Sequence, residues 1–437
     1  MTTRRKFIQG IAGTAVMATS AKSYANILGA NDRLNVAVMG TRSRGKSLLG
    51  DLIKSSSSNV THICDVDREI LDSTVSYIAS LDACRPKGHS DVRHVLDDPN
   101  LDALVVATPD HWHATATIMG LKAGKHVYLE KPCGYDPHEG ELLEKAQKKY
   151  DRVVQMGNQQ RSSPESIALM QAIGAGEIGD PYHADCWYAN NRGSIGNGKV
   201  VAAPDRLDWD LWQGPAPRRK YRDNLVPYNW HWFWHWGTAE TSNNGTHMID
   251  LMRWGLQVDY PTRVTSAGGR YHYEDDWEMP DSQVLGFDFE GRKSLHWEGR
   301  SCSGGTVEGN GVGVVFYGEG GSLKLAGTGY VIYDKKSAVV EDVTGEAAER
   351  PLDTQGPGEG LDAYHVRDFL ESLRSGTPPN ADVAIHQPST LMPLLGNIAH
   401  RLQRDLRCDP RTGRVVDDPE ADGLWGRDYE PGWEPKA

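Results

Sequence analysis

Lys131 is the residue whose local sequence best fits it for chemistry. It lies in Glu130-Lys131-Pro132, directly after the apolar run His126-Val127-Tyr128-Leu129. That pattern puts a cation at the carboxyl end of a strand, where an open α/β sheet holds its ligand. A lone lysine is ordinarily a solvated surface residue, but a glycine-punctuated turn upstream changes the reading. In Val36-Ala37-Val38-Met39-Gly40-Thr41-Arg42-Ser43-Arg44-Gly45, an apolar strand runs through a tight turn into a helix. In a dinucleotide fold the first glycine makes the turn, the second admits the pyrophosphate and the third lets helix pack on strand. Gly40 and Gly45 take the first and third places and Arg42 the second, with Thr41 and Ser43 completing the loop. Arg42, Arg44 or Lys46 can neutralise phosphate there, beside the positive end of the following helix.

Two further strand ends join this set. Ile63-Cys64-Asp65-Val66-Asp67 offers a carboxylate for the adenosine ribose hydroxyls, Asp65 before Asp67, and its charge favours NAD over NADP. In Val105-Val106-Ala107-Thr108-Pro109-Asp110-His111-Trp112-His113, Pro109 stops the strand, and Thr108, Pro109 and His113 then face the same crevice. His111 and His113 lack a visible third ligand, so no metal is expected; helix capping and cofactor packing suit them better.

The elements that must position these residues read in two blocks. Apolar runs at Leu34–Met39, Val60–Cys64, Leu101–Ala107, His126–Leu129 and Arg152–Met156 alternate with helical stretches, which implies a doubly wound parallel sheet. From about Tyr182 to Tyr333 the pattern turns to alternating segments, namely Tyr182–Tyr188, Gln283–Phe289, Lys293–Trp297, Val312–Tyr317 and Gly329–Tyr333. These predict a large, mostly antiparallel open sheet. Lys335–Gly360 reads as an exposed acidic loop, followed by helices over Leu361–Ser375 and Gln387–Arg404 and a tail rich in Trp and Tyr. The expected division is 1–30 as a signal segment, 31–155 as a nucleotide domain, 156–405 as an α/β domain for substrate and oligomerisation, and 406–437 as a tail packing on both.

The chain has 437 residues, enough for two cores, and a net charge of -12 that would repel phosphate backbones and anionic lipid. Nucleic acid and membrane surfaces are therefore poor partners. Thirteen Trp and seventeen Tyr against six Phe favour rings with a polar handle, suited to carbohydrate. Six cysteines without a CxxC spacing suggest neither structural zinc nor a disulfide framework, and Cys64 and Cys133 read as buried at strand ends. Thr3-Arg4-Arg5-Lys6-Phe7-Ile8, followed by a weakly apolar small-residue stretch to Ala21, reads as a twin-arginine export signal. It predicts a periplasmic or otherwise exported protein with no membrane insertion after cleavage.

Together, Gly40–Gly45, Thr108-Pro109, Glu130-Lys131-Pro132, Gly157-Asn158-Gln159 and Gly245-Thr246-His247-Met248-Ile249-Asp250 resemble the Gfo/Idh/MocA oxidoreductases, the glucose-fructose oxidoreductase and inositol dehydrogenase group. Trp232-Phe233-Trp234 and the closing Tyr429-Glu430-Pro431-Gly432-Trp433 resemble its exported, Trp-rich branch. The resemblance implies a Rossmann domain, an α/β domain with a large open sheet, and homo-oligomers, dimers or tetramers, formed through that sheet. It places Glu130 and Asn158 at the cofactor and Lys131 between nicotinamide and substrate, with an Asp-x-x-x-His pair on the second domain. Here that pair is Asn243 and His247. On a helix beginning near Asn244 the two share a face. His247 is then the expected general base, Lys131 orients the hydroxyl and stabilises oxyanion charge, and Asn243, an amide, can only position. Asp250 either orients His247 or pairs with Arg253.

Trp230, Trp232, Trp234 and Trp236 alternate with His231, Phe233 and His235. If extended, they form a one-sided platform for sugar rings; the alternative is four core tryptophans. Arg161, Tyr182, Tyr188, His231 and His365 are further pocket candidates. An exported enzyme meets little free nicotinamide, so the NAD should stay bound. Two reaction schemes follow: oxidation of a sugar CH–OH with re-oxidation in place, or redox-neutral glycoside cleavage through transient oxidation at C3. A non-catalytic sugar-binding protein is a third reading.

Overall fold

The computed structural model describes residues 33–81, 85–307, 309–326, 329–344 and 360–437. The twin-arginine segment, Cys84 and most of the acidic 335–360 stretch lie outside them. The first sheet comprises β1 (Leu34–Met39), β2 (Ser58–Cys64), β3 (Lys87–His89), β4 (Ala103–Val106), β5 (His126–Leu129) and β6 (Val154–Met156). Its order is β3-β2-β1-β4-β5-β6, with every pair parallel. β4 is buried along its whole length, as expected of a strand covered on both faces. β3 escapes sequence reading because its residues, Lys-Gly-His, carry no apolar signal.

Helices α1 (Ser43–Lys54), α2 (Arg68–Ser80), α3 (Val92–Leu96), α4 (His113–Lys122) and α5 (Pro137–Tyr150) connect and flank these strands. Their starts follow local chemistry. Asp67 accepts the Glu69 and Ile70 amides at the head of α2, and Asp136 with Pro137 begins α5. The strand order reverses between β1 and β4, so the crevice at their carboxyl ends is the topological switch point.

After α6 (Pro164–Gly174) comes a nine-stranded sheet in the order β14-β13-β12-β11-β7-β10-β9-β8-β15. It contains β7 (Pro181–Ala189), β8 (Arg263–Gly269), β9 (Ser282–Phe289), β10 (Lys293–Arg300) and β11 (Val312–Gly318). β12 (Gly321–Ala326), β13 (Gly329–Asp334), β14 (Val339–Thr344) and β15 (Leu406–Arg407) complete it. All pairings are antiparallel except β7 with β10. β14 corrects the expectation of a continuous loop from Lys335. Its Val-Val-Glu-Asp-Val-Thr sequence lies exposed at the sheet edge and therefore carries acids that read as loop. Short helices α7 (Trp209–Gln213) and α8 (Ala239–Asn243) precede α9 (Gly245–Leu256), which packs on one sheet face among Trp297, Phe287 and Phe316. That helix approaches so closely that a Cβ on Gly255 would lie 2.3 Å from the Phe316 ring.

Within 156–405, two helices reach back onto the nucleotide domain. Helix α10 (Leu361–Ser375) returns to the nucleotide domain, where Val366, Phe369 and Leu370 pack with Val36, Val38 and Leu48. Helix α11 (Val383–Leu402) lies against both α5 and β8. β15 extends the second sheet rather than opening a tail, and α12 (Pro419–Asp422) follows it. The remaining tail lies against the nucleotide domain: the Trp433 and Trp112 rings meet edge to face at 5.2 Å, and the Tyr429 hydroxyl donates to Glu139 at 3.0 Å. Phe369 is fully buried in the Rossmann core, so Phe369→Ala should cost about 3–5 kcal/mol. Denaturant melts of the two proteins check this; coincident midpoints would detach α10 from that core.

Candidate active site

A cleft of about 760 Å³ opens at the switch point. The nucleotide domain contributes the 39–44 turn, Asp65, Thr108, Pro109, His113, Glu130 and Lys131. The second domain contributes Arg192, Tyr228, Trp230, His231, Asn243 and His247. The turn needs its glycines. Gly40 has φ +81°, and a Cβ there would lie 2.6 Å from the Ala107 carbonyl; one on Gly45 would lie 1.8 Å from the Gly40 carbonyl. No side chain caps the first turn of α1, which leaves a helix amino terminus suited to pyrophosphate.

Asp65, the expected ribose carboxylate, lines the cleft. It is buried at the end of β2 and accepts the Thr41 amide at 2.9 Å, the Thr41 hydroxyl at 3.1 Å and the Asp67 amide at 3.0 Å. Burial raises its pKa, and those hydrogen bonds oppose the rise. Asp67 is engaged elsewhere: burial would raise its pKa, but hydrogen bonds from Arg42 and Arg206 hold it below the usual range. Arg42 and Arg44 line the cleft, yet both guanidiniums are already paired. Arg42 bonds Asp67 at 2.6 Å; Arg44 bonds Glu130 at 2.7 Å and forks onto Asp362 at 2.7 and 2.6 Å. Both arginines thus line the cleft while held in ion pairs, and Lys46 stays exposed.

The other residues expected on the cofactor side differ in their surroundings. Both ring nitrogens of His113 face carbonyls, Pro132 at 2.6 Å and Thr108 at 2.9 Å. Thr108 Oγ1 and the Asn158 side-chain amide are buried without a hydrogen-bond partner. Ser43 is exposed at the cleft. Asn158 does not line the cleft, but adjoining Gly157 packs so tightly that a Cβ would lie 2.8 Å from the Glu130 carboxylate. His111 turns away, its Nε2 donating to the Trp212 carbonyl at 2.9 Å, and burial pushes its pKa down to about 3.

Across the cleft, Lys131 Nζ donates to the Asn243 carbonyl at 2.6 Å and its side-chain oxygen at 3.1 Å. Burial lowers the Lys131 pKa, opposed by Glu130 and Asp110. Asn243 Nδ2 donates in turn to Glu240 at 3.3 Å, which fixes the amide's orientation. Asn243 and His247 do not share one helix. Asn243 ends α8 and α9 begins at Gly245, but both residues reach the cleft. His247 is buried, and its Nδ1 has no hydrogen-bond partner among the described residues. Burial, reinforced by Lys131 and Arg44, lowers it to about 3, so the imidazole is neutral near pH 7.

Several expectations are corrected. Asp250 neither orients His247 nor pairs with Arg253. It is fully buried and accepts two hydrogen bonds from Arg161 at 2.8 Å and one from Ser389 at 2.6 Å. Arg161 is thus no pocket residue; its guanidinium lies 4.4 Å over Trp254, and the pair buries its charge inside the second domain. Arg253 pairs with Asp259. The aromatic run is not extended either. Asn229–Trp232 is a 3-10 helix, and the indoles diverge. Trp232 stacks on Trp277 at 3.9 Å, Trp236 meets Trp212 at 5.1 Å, and Trp234 faces another cavity. Trp230, with His231 stacked on it at 3.6 Å, lines the cleft. Each indole finds its own burial, which alternation cannot reveal. Tyr188 stands behind the wall, its hydroxyl accepting from Asn190 at 2.7 Å and Arg192 at 3.2 Å. Tyr182 is exposed on β7, and His365 is buried against Ser162.

Sequence reading missed Asp110 and Arg192. Asp110 is buried in the cleft wall and accepts the Thr238 hydroxyl at 2.6 Å across the domain boundary; burial pushes its pKa up. Its place in the polar run after β4 was the available signal. Arg192 bonds Glu240 at 2.8 Å and lies 5.6 Å from the Tyr228 ring centroid. It sits in an irregular segment, where no periodicity marks it.

Residues 34–158 match the model of an oxidoreductase family with an NAD-binding Rossmann fold, and residues 187–275 match that family's C-terminal alpha/beta domain. Inositol 2-dehydrogenase 1 of Saccharopolyspora erythraea is 34% identical over 105 residues, which is 24% of this chain and 31% of that protein. A glycosyl hydrolase family 109 protein of Shewanella pealeana is 21% identical over 162 residues, 36% of this chain and 35% of its own. The chain thus spans about a third of the length of these curated relatives. The WlbA dehydrogenase of Bordetella pertussis, solved with NADH and UDP-GlcNAcA, has the same fold: TM-score 0.63 at 17% identity, covering 86% of this chain and 99% of that one.

The neutral His247 has a pH consequence. With a folded pKa of about 3 against an unfolded value of about 6.5, only the unfolded chain takes up its proton in between. Stability should therefore fall as pH drops from about 6.5 toward 3. His247→Gln should flatten that slope by up to about 1.4 kcal/mol per pH unit. Urea melts between about pH 4.5 and 6.5 read the difference, and parallel slopes would mean that His247 is not held neutral.

Proposed function

The chain belongs to the Gfo/Idh/MocA oxidoreductase family, and from that premise we propose that it oxidises a ring CH–OH of a sugar or sugar derivative. The observation that carries the proposal is the meeting of Lys131, Asn243 and a neutral His247 in the cleft that also holds the glycine turn and Asp65. The residues present fit NAD: glycines where a Cβ would collide, an uncapped helix start, and a buried carboxylate at the end of β2. When bound, the nicotinamide supplies the hydride acceptor. The protein's part is proton control and orientation. Lys131 Nζ, aimed by both oxygens of Asn243, is the donor that stabilises negative charge developing on the substrate oxygen. His247, in the form able to accept, takes the hydroxyl proton. Asn243 carries no proton and serves to hold Lys131.

Export by the twin-arginine route, supported by Thr3-Arg4-Arg5-Lys6, goes with this reading. So do a tightly held cofactor, re-oxidised in place by a second substrate, and self-association through the second sheet. A second reading, redox-neutral glycoside cleavage, is favoured by the similarity to glycosyl hydrolase family 109 proteins and by an amide, rather than an acid, at residue 243. Purified protein given sugars and aryl glycosides, with NADH and phenol followed together, separates the two. NADH accumulation supports the oxidoreductase; phenol release without NADH supports the glycosidase.

Lys131→Ala and His247→Ala should each lower turnover by roughly 10²–10⁴-fold while the circular dichroism spectrum stays native. Near-normal rates would remove those residues from the chemistry. Asp65→Ala should weaken NAD binding by an order of magnitude or more, since a ligand-facing charged acceptor is lost (roughly 1.5–3 kcal/mol). Calorimetry with NAD tests this, and an unchanged affinity would take Asp65 out of the ribose site.

A further inference from the structure

The parallel pair of the second sheet carries a feature unrelated to the cleft. β7 and β10 run side by side with His296 opposite Asp185 and Ser294 opposite His183. Ala184 and Cys186 of β7 point into the core, so His183 and Asp185 emerge on the other face, beside His296. There His183 Nε2 lies 3.0 Å and His296 Nδ1 3.2 Å from the same oxygen, Asp185 Oδ1. All three donor atoms fall within 4.8 Å of one another.

Hydrogen bonding alone accounts for those distances, but so does the geometry of a metal centre. In a tetrahedral zinc site with bonds of about 2.0–2.2 Å, donor atoms stand about 3.4 Å apart. Two of the separations here are already within a few tenths of an ångström of that value. The surroundings are built as a metal-ligating histidine requires. The second nitrogen of His183, Nδ1, is hydrogen-bonded to Ser294 Oγ at 2.8 Å, and its ring is stacked on Tyr317 at 5.7 Å. Ser294 thereby fixes the ring and leaves Nε2 for a ligand bond. His296 and Asp185 are about half exposed, with side-chain accessibilities of 52% and 42%. An ion can therefore enter, and water can complete its shell.

We propose that His183, Asp185 and His296 form a binding site for a transition-metal dication of the zinc, nickel or copper class. Two imidazoles and one carboxylate suit these ions better than calcium or magnesium. The bound ion would clamp β7 to β10 and add its binding energy to the fold.

Tag-free, chelator-stripped protein titrated with zinc chloride tests this. The expected result is one equivalent bound by calorimetry and a rise in melting temperature. The affinity should fall at least tenfold, and the rise in melting temperature should shrink, in His296→Ala and in Asp185→Asn. NAD binding is the fold check, since neither residue borders the cleft. Absence of zinc binding in the wild type overturns the proposal. Zinc bound equally well by both variants overturns it too, because the ion would then sit elsewhere.

Discussion

The buried pairing of Arg44 with Glu130 and Asp362 is the constraint around which the site is organised. Taking such charges out of water costs several kcal/mol each, and the cost is offset only when every donor and acceptor finds a partner. Here the fork is filled: Nε of Arg44 goes to Glu130, its two terminal nitrogens go to Asp362, and Ser47 adds a further bond to Asp362. Three distant stretches of chain are thereby locked together: the first turn of α1, the end of β5 and the start of α10. Glu130 is also held by the Gln159 amide at 3.2 Å and covered by Gly157. Since Lys131 follows directly, its position is inherited from this network.

Electrostatics in the cleft are ruled by burial. Asp110 is raised, and Lys131 and His247 are lowered, each by desolvation as the largest cause. All three shift toward their uncharged forms, as low-dielectric surroundings require. On the second-domain side, Glu240 gathers Arg192, Ser301, Asn243 and Asn244. Through Asn243 that cluster sets where the Lys131 ammonium points. The orientation of Lys131 thus traces back to the Arg192–Glu240 ion pair.

The cleft exists only as a junction. Lys131 with Asn243, Asp110 with Thr238 and Asp67 with Arg206 each join residues of the first sheet's loops to residues of the second domain. Helices α10 and α11 reinforce the junction by packing back on the nucleotide domain.

Much of this was legible in the residues alone, for a local reason. The parallel strands, the Gly40–Gly45 turn, Asp65 at a strand end and Lys131 after β5 all follow from contiguous apolar runs and short motif spacings, whose geometry is set within a few residues. His247 was reached through a motif. What only the tertiary structure decided are pairings between stretches far apart in the chain. Asp250 chose Arg161 over its helix neighbour Arg253 because the two meet in a dry core where a bidentate pair is worth most. The tryptophans of 230–236 diverged because separate apolar partners, Trp277 and Trp212 among them, lay on different sides. Helix α10 joined the first sheet rather than the second because Phe369 finds its burial there. Local pattern determined which residues were available for chemistry; long-range packing, which pattern does not encode, decided which of them line the cleft.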